Sequence, residues 1–275
     1  PDLNGSFDGE IIRPGGAGYD SARVVWNGLV DRHPALIVRP SHVDDVVTAL
    51  RFAREEDLLI AVRCGGHSIP GFSTCDGGIV IDLSRMRGAE ADPAQRAARV
   101  AGGALLAELD DQAQAAGLVC RVGVVSQTGV AGLTLGGGMG RLQRKHGLSF
   151  DNLLSIELVT ADGRLVRASE EENPELFWGL RGAGANFGIA TSFTFRLHPF
   201  DGTITHGTVV HPVEDARELA AVYRNTLEAG PDELWMSFGL GAADGRLVAT
   251  VTVHHCGPGE QAEQDLAELR AFGAP

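Results

Sequence analysis

The sequence predicts an α+β chain: a small α/β unit, then further strands and helices, then an antiparallel sheet backed by helices. Three observations carry this. Between residues 35 and 83, short apolar runs alternate with a segment of helical period. From residue 87 to 197, strand-like runs follow one another across turn signals. Beyond Pro199–Gly202 glycine thins, and the pattern becomes strand, helix, strand, strand, helix. The 275 residues suffice for one large domain or two medium ones, and a 44% hydrophobic composition supplies a core.

The elements follow in order. The first thirty residues read as irregular, with Gly and Pro clustered at Pro14–Gly18. Ala35–Pro40 reads as a short buried strand. Ser41 resembles an N-cap with Asp44 three residues on, close to a capping box. Val43, Val46, Val47, Leu50, Phe52 and Ala53 then recur at helical spacing. Leu58–Val62 and Gly77–Leu83 are strands. Arg87–Val100 reads as a hairpin around Asp92-Pro93. Ala104–Ala116 is a helix closed by Gly117. Leu153–Ser169 gives two strands across an Asp162-Gly163 hairpin signal. Glu171–Arg181 is a helix with Asn173-Pro174 near its start, and Ile189–Leu197 alternates as a strand. Past the boundary come strand 205–210, helix 213–229, strands 234–240 and 247–254, and helix 259–272. A sheet left short of an edge predicts that this chain is part of a longer protein.

Lysine and arginine number 23 against 36 aspartates and glutamates, a net charge of −13. That argues against non-specific binding to nucleic acid or to an anionic membrane. The longest uncharged stretch, Val122–Gly140, has the length of a membrane span. It carries Ser126, Gln127, Thr128, Thr134 and many glycines, so it reads as a ligand-facing loop and helix. No secretory leader opens the chain; it starts at Pro1 without methionine, which leaves room for a leader or tag already removed. Cys64, Cys75, Cys120 and Cys256 form neither a CxxC pair nor a metal-like spacing, which predicts a reducing compartment, the cytoplasm. His254-His255-Cys256 invites a metal reading, but alternate strand residues point to opposite faces and no further ligands accompany them. No metal site is expected.

Two glycine-rich stretches stand out. The first is RCGGHSIPG, Arg63–Gly71, directly after an apolar run; the second is GVAGLTLGGGMG, Gly129–Gly140. Glycine lets backbone approach a ligand closely, and successive bare N–H groups make anion-binding concavities. Two of them, one carrying a histidine, predict a large phosphate-bearing cofactor held by backbone. A Rossmann fingerprint, GxGxxG straight after the first strand, is absent: GGGMGRL and GAGANF both lack the third glycine. GxxxxGK[ST] is absent too. Simple NAD or ATP binding of those kinds is therefore not expected.

Four motifs now fall into one order: RxGGHS at Arg63–Ser68; an apolar strand ending in DLS, Ile79–Ser84; GxxGLTxGGGxGxLxRKxGLxxDN, Gly129–Asn152; and LFWGLRGAGxNFGI, Leu176–Ile189. Together they resemble the FAD-linked oxidases of the berberine bridge enzyme type, within the vanillyl-alcohol-oxidase-like, PCMH-type FAD-binding fold. The resemblance covers about residues 35–199. It implies an FAD-binding domain over 1–200, with its core at 33–199, built of two subdomains clasping the cofactor. Residues 201–275 would open a substrate-binding domain of antiparallel sheet and helices that this chain does not complete.

The resemblance also implies roles. His67 is the family's covalent attachment point, its imidazole bonded to the methyl carbon on the flavin's benzenoid ring; a neutral imidazole nitrogen is a competent nucleophile. Arg63, Gly65, Gly66 and Ser68, in the turn that Gly71 closes, would wrap the pyrophosphate. Thr128, Gly129, Gly132 and Leu133 would lie along the flavin and its phosphates. Gly137, Gly138 and Gly140 would give close backbone approach, and Ile189 would cap the adenine side. Many relatives carry a second link from a cysteine four residues before the glycine matching Gly129. Here that position is Val125, and Cys120 comes too early, so one covalent bond is expected. The family's closing segment, which usually supplies a base, is missing, so no catalytic residue is assigned.

The implied reaction moves a hydride from a small-molecule C–OH or C–NH carbon to FAD and then to dioxygen, giving hydrogen peroxide. A small residue near Thr128 admits dioxygen in relatives, which favours an oxidase. The alternatives are a flavin dehydrogenase with another acceptor, a flavin carrier without turnover and an inactive flavin-binding remnant. Plainer readings stand beside these. A histidine in a glycine loop is ordinarily a cap or solvent-facing, and GGGMG alone is as often a flexible turn. Arg144-Lys145-His146 reads as a solvated or phosphate-facing turn, with a flavin-facing role as the alternative, and Phe177 and Trp178 as core.

Overall fold

A computed structural model describes Leu3, residues 7–200 and residues 202–273. These divide into two compact units, one within Pro1–Gly140 and Leu148–Pro199, the other within Arg141–Gly147 and Phe200–Pro275. Among the described residues, no helix is long and apolar enough to cross a membrane. Residue 201, inside the expected boundary, lies outside the described residues.

The first unit opens with β1 (Glu10–Ile12), α1 (Tyr19–Arg23), β2 (Leu36–Arg39), α2 (Val43–Glu55), β3 (Ile60–Arg63) and β4 (Ile79–Asp82). The stretch expected to be irregular thus holds a short edge strand and one helical turn. The sheet order is β1-β2-β4-β3, with β1 antiparallel and the others parallel. Alternation explains why β4 is buried throughout. Leu36, Val38, Ile79 and Ile81 face α2 with Val46, Ala49, Leu50 and Ala53. Ile37 and Val80 face the other way, onto Ile12, Tyr19, Ala22, Ala61 and Cys75. A parallel sheet covered on both faces reads as an unbroken apolar run. The α2 cap sits one residue later than Ser41/Asp44 predicts. His42 is the N-cap, and the buried Asp45 accepts from Ser41 N and Asp8 N, each at 2.8 Å.

The chain continues through β5 (Ala89–Asp92), β6 (Ala97–Ala101), α3 (Leu106–Ala115), β7 (Leu118–Val119), α4 (Val130–Leu135), α5 (Gln143–His146), β8 (Leu153–Val159), β9 (Leu165–Ser169), α6 (Pro174–Ala183), β10 (Ile189–Arg196) and β11 (His198–Pro199). All but α5 belong to the first unit. A second sheet, β5-β6-β10-β8-β9, is antiparallel throughout. Its core joins Val100, Ile156, Leu158, Phe193 and Phe195 to Leu106 and Leu109 of α3 and Phe177 and Leu180 of α6. The α6 helix starts at Pro174, later than expected, because Asn173 takes a left-handed φ of 52° and proline suits the first helical position. Phe177 is core as expected. Trp178 is 73% exposed, because adjacent helical residues point about 100° apart.

The second unit carries β12 (Thr205–Pro212), α7 (Ala216–Ala229), β13 (Leu234–Ala243), β14 (Arg246–His255), α8 (Gly259–Asp265) and α9 (Ala267–Ala271). Its antiparallel sheet, β12-β14-β13, packs Leu234, Met236, Ala249, Val251 and Val253 against Leu219, Leu266 and Leu269. The two-residue hairpin is at Asp244-Gly245, where both φ angles are positive (49° and 74°) and Ala243 pairs with Arg246. Asp162-Gly163 instead sits in a longer loop between Val159 and Leu165. The helix expected over 259–272 is two helices that meet at Leu266.

Candidate functional site

The first glycine-rich stretch leaves β3 at Arg63 and forms the loop that returns in β4. Gly66 takes φ 71°, and its carbonyl accepts from Trp26 N at 3.1 Å. Ser68 closes the turn: its carbonyl accepts from Gly71 N at 3.0 Å and its Oγ from Phe72 N at 3.1 Å. Gly71 stands where a Cβ would meet Val30 Cγ1 at 2.8 Å. Arg63 is buried. Its Nη2 donates to Asp82 Oδ2 at 2.7 Å and its Nη1 to Val24 O at 3.3 Å. Arg39 Nε donates to the same Asp82 oxygen at 2.9 Å. Burial alone would push the Asp82 carboxyl up. The hydrogen bond and charge of Arg63, then the bond from Arg39, outweigh it and hold the carboxyl below its ordinary value.

The second stretch enters α4 at Gly129 and runs against the first. A Cβ on Gly65 would lie 2.3 Å from Gly129 N, and a Cβ on Gly129 would lie 2.4 Å from Gly65 N. Only bare backbone on both sides allows this approach. Gly138 and Gly140 are bare for a similar reason, facing Ser149 Oγ at 2.3 Å and Val122 O at 2.1 Å. Gly137 takes φ 115°. Gly132 differs from all of these. It is exposed on α4, has helical backbone, and no protein atom lies within 4 Å of its missing Cβ. The protein's own packing gives no reason for glycine at this position of the helix.

His67 sits at the lip of the first turn, half-buried and stacked on Trp26 with ring centroids 5.4 Å apart and planes 19° apart. Trp26 itself is 63% exposed; Ile69 and Met139 on the two stretches, and Phe72, Val124 and Val125 near them in sequence, are exposed as well. Exposed apolar groups concentrated in this way mark a surface that something apolar covers. A pocket of about 240 Å³ opens beside the turn, lined among others by Trp26, Arg63, Gly65, Gly66, Asp82 and Ser84. Bare amides for phosphate and apolar side chains for a ring system fit a dinucleotide carrying an aromatic head.

Comparison with known proteins agrees. Residues 34–169 match the model of the FAD binding domain family. The (R)-6-hydroxynicotine oxidase of Paenarthrobacter nicotinovorans is 38% identical over 98% of this chain. The crystal structure of 6-hydroxy-D-nicotine oxidase from Arthrobacter nicotinovorans superposes with a TM-score of 0.93 at 36% identity, over 98% of this chain and 60% of that one. The chain belongs to the FAD-linked oxidases of the berberine bridge enzyme type. A berberine-bridge-enzyme-like protein of Physcomitrella patens superposes with a TM-score of 0.90 at 28% identity, over 98% of this chain and 58% of that one. The chain spans about 59% of the nicotine oxidase's length.

The remaining residues expected at the site fall out as follows. Thr128 is half-buried, and its carbonyl accepts from Leu106 N at 3.0 Å. Leu133 packs on the core beside Gly123. The Ile189 side chain is buried in the core of the first sheet, so only its backbone is open to a ligand. Val125 is 48% exposed, and Cys120 is buried with its thiol pushed up by burial. Burial also pushes the Cys64 thiol up, to about 11. Arg121 is fully buried; Nη1 donates to Val122 O at 2.8 Å, and burial lowers its pKa to about 10. Two residues with structural roles here left no local sequence signal: Trp26, forty-one positions from His67, and Asp82, which appears only as the D of DLS.

Arg144 is neither solvated nor phosphate-facing. Its Nη1 donates to Leu227 O and Leu234 O at 2.9 and 3.1 Å, and its Nη2 to Gly230 O at 3.2 Å, at the C-terminal end of α7 and the start of β13. Lys145 pairs with Glu233 at 3.1 Å. The three residues 254–256 point apart. His254 meets His206, His255 meets Asp265 at 2.9 Å, and Cys256 donates to Glu233 O. Among the described residues the one group with metal-like spacing is Asp8, His42 and Asp45, and both Asp45 carboxylate oxygens already accept from backbone N–H groups of Asp8 and Ser41.

Proposed function

We propose that this chain is the cofactor-holding part of a flavin-dependent oxidase whose FAD is attached by a single covalent bond to His67. The observation that carries the reading is the backbone-to-backbone meeting of Gly65 and Gly129 beside that imidazole. The amides of Gly65, Gly66 and Ser68 hold the pyrophosphate, while Arg63, fixed by Asp82, sets the base of the turn and adds positive charge. Gly129, Gly132, Thr128 and Leu133 line the flavin, with Gly132 bare so that the ring system can lie on α4. Gly137, Gly138 and Gly140 let the backbone close in, and the Ile189 backbone bounds the adenine end. Residues 1–200 form the FAD domain, and residues 201–275 begin the substrate domain. The cysteine spacing, without a CxxC pair, fits a reducing compartment, the cytoplasm.

FAD, when bound, accepts a hydride from a substrate carbon and passes the electrons to dioxygen. The chain's own residues hold and orient that group; the proton-accepting base is not assigned among them. The substrate is a small molecule oxidised at a C–OH or C–NH carbon. Relatives support both, since one is named for hydroxynicotine and others for chito- and xylooligosaccharides.

The test is anaerobic reduction of the whole protein followed by mixing with air-saturated buffer. Reoxidation within seconds and one hydrogen peroxide per turnover are expected. A reduced flavin that lasts many minutes in air contradicts the oxidase reading and favours a dehydrogenase.

A further inference from the structure

The segment Val24–Val30 is strapped across the first turn at four points. Arg63 Nη1 donates to Val24 O at 3.3 Å, Trp26 N donates to Gly66 O at 3.1 Å, Asn27 Nδ2 donates to Ile69 O at 2.7 Å, and Val30 fills the space beside Gly71. The strap carries one large side chain to the turn, and that side chain lies flat on His67. Trp26 buries little of itself in doing so, at 63% exposed. An indole left mostly in water contributes little to the core. Its cost is offset elsewhere, and the contact in hand is the stack.

We propose that Trp26 is a positioning residue for flavin attachment, fixing the His67 ring so that one nitrogen faces the flavin's methyl carbon. The proposal rests on the covalent reading above. In the attachment step an imidazole nitrogen gives its lone pair to that carbon and an N–C bond forms. One methyl C–H and the imidazole N–H lose their protons to solvent. The electron pair released enters the ring system, and dioxygen takes it with two protons as hydrogen peroxide. This chemistry needs the nitrogen lone pair aimed at carbon within a narrow cone. A free imidazole on a glycine turn rotates about both side-chain bonds, so most of its orientations are unproductive. A ring clamped at 19° to a neighbouring indole keeps only a few.

Rate, not affinity, is therefore what Trp26 controls. The experiment uses the whole protein made flavin-free in a riboflavin-requiring host, as wild type, Trp26→Phe and Trp26→Ala. FAD is added in air, uptake is followed by quenching of flavin fluorescence, and attachment by denatured intact mass over time. Wild type should gain one FAD. Trp26→Phe should keep the rate within about threefold, because a phenyl ring still stacks. Trp26→Ala should take up FAD normally but attach it at least about tenfold more slowly. Attachment by Trp26→Ala at the wild-type rate overturns the proposal, as does a loss of uptake equal to the loss of attachment, which would make Trp26 a wall of the pocket. Absence of attachment in wild type sinks the covalent reading first and this proposal with it, and that arm tells the two failures apart.

Discussion

Gly65 and Gly129 each occupy the position where the other's Cβ would have to go. Each Cβ would come within 2.4 Å of the partner's amide nitrogen, so the two glycine-rich stretches are one structure. Gly65→Ala or Gly129→Ala should cost about 3 kcal/mol or more, as overpacking against backbone does. One outward shift of the backbone relieves both collisions, so the double variant should cost less than the sum of the two. Denaturant titrations of the four proteins measure this directly.

Gly132→Ala should behave in the opposite way. With nothing within 4 Å of the new methyl, the flavin-free protein should gain up to about 1 kcal/mol from helix propensity. Flavin uptake should fall if the ring system lies on α4 as proposed, because the methyl would then stand in its place. A variant that is stabilised and still loads FAD normally would place the cofactor elsewhere.

Asp82 joins two arginines, one of them buried. Asp82→Ala leaves Arg63 without its counter-charge and should cost about 3–5 kcal/mol. Because the folded-state pKa is depressed, the stabilisation is fully present above the ordinary carboxylate pKa, near 3.9, and is lost as pH falls further. A wild-type stability that drops below about pH 4, and does so less steeply in Asp82→Asn, is the expected result of acid titration.

Arg144 should matter to the second unit through three carbonyls, two at the end of α7 and one at the start of β13. Arg144→Met should destabilise that unit by about 2 kcal/mol. Arg144→Lys should recover less than half, because an ammonium cannot fork across three acceptors. Hydrogen exchange in the last turn of α7 reads the effect.

His254 is held down to about 4 by burial, then by the charges of Arg141 and His206. The unfolded chain takes up a proton near pH 6.5 and the folded one does not until about pH 4. Stability contributed by the neutral ring is whole above pH 6.5 and is lost between those values, on the order of 2 kcal/mol. Lower protection factors in β13 and β14 at pH 4.5 than at pH 7.5, after correction for the pH dependence of the intrinsic exchange rate, check this, and His254→Gln should flatten the difference.

Much of this fold was legible because its signals are local. The parallel strands of the first sheet announce themselves as unbroken apolar runs, Asp92-Pro93 marks the β5–β6 turn of the second sheet, and Gly117 marks the end of α3. What stayed hidden depends on distance. β1 is three residues long and exists only because β2 offers it an edge. The pairing of Gly65 with Gly129 and of Trp26 with His67 joins segments 64 and 41 positions apart, for which no short motif speaks. Arg144 looked like part of a charged turn because its three partners lie more than eighty residues downstream.

Denatured intact mass of the whole protein decides the matter most directly. Native protein should weigh one FAD more than its sequence, and His67→Ala should not. Native protein of bare-chain mass, or a His67→Ala variant that keeps the extra mass, would contradict the attachment proposed for this imidazole.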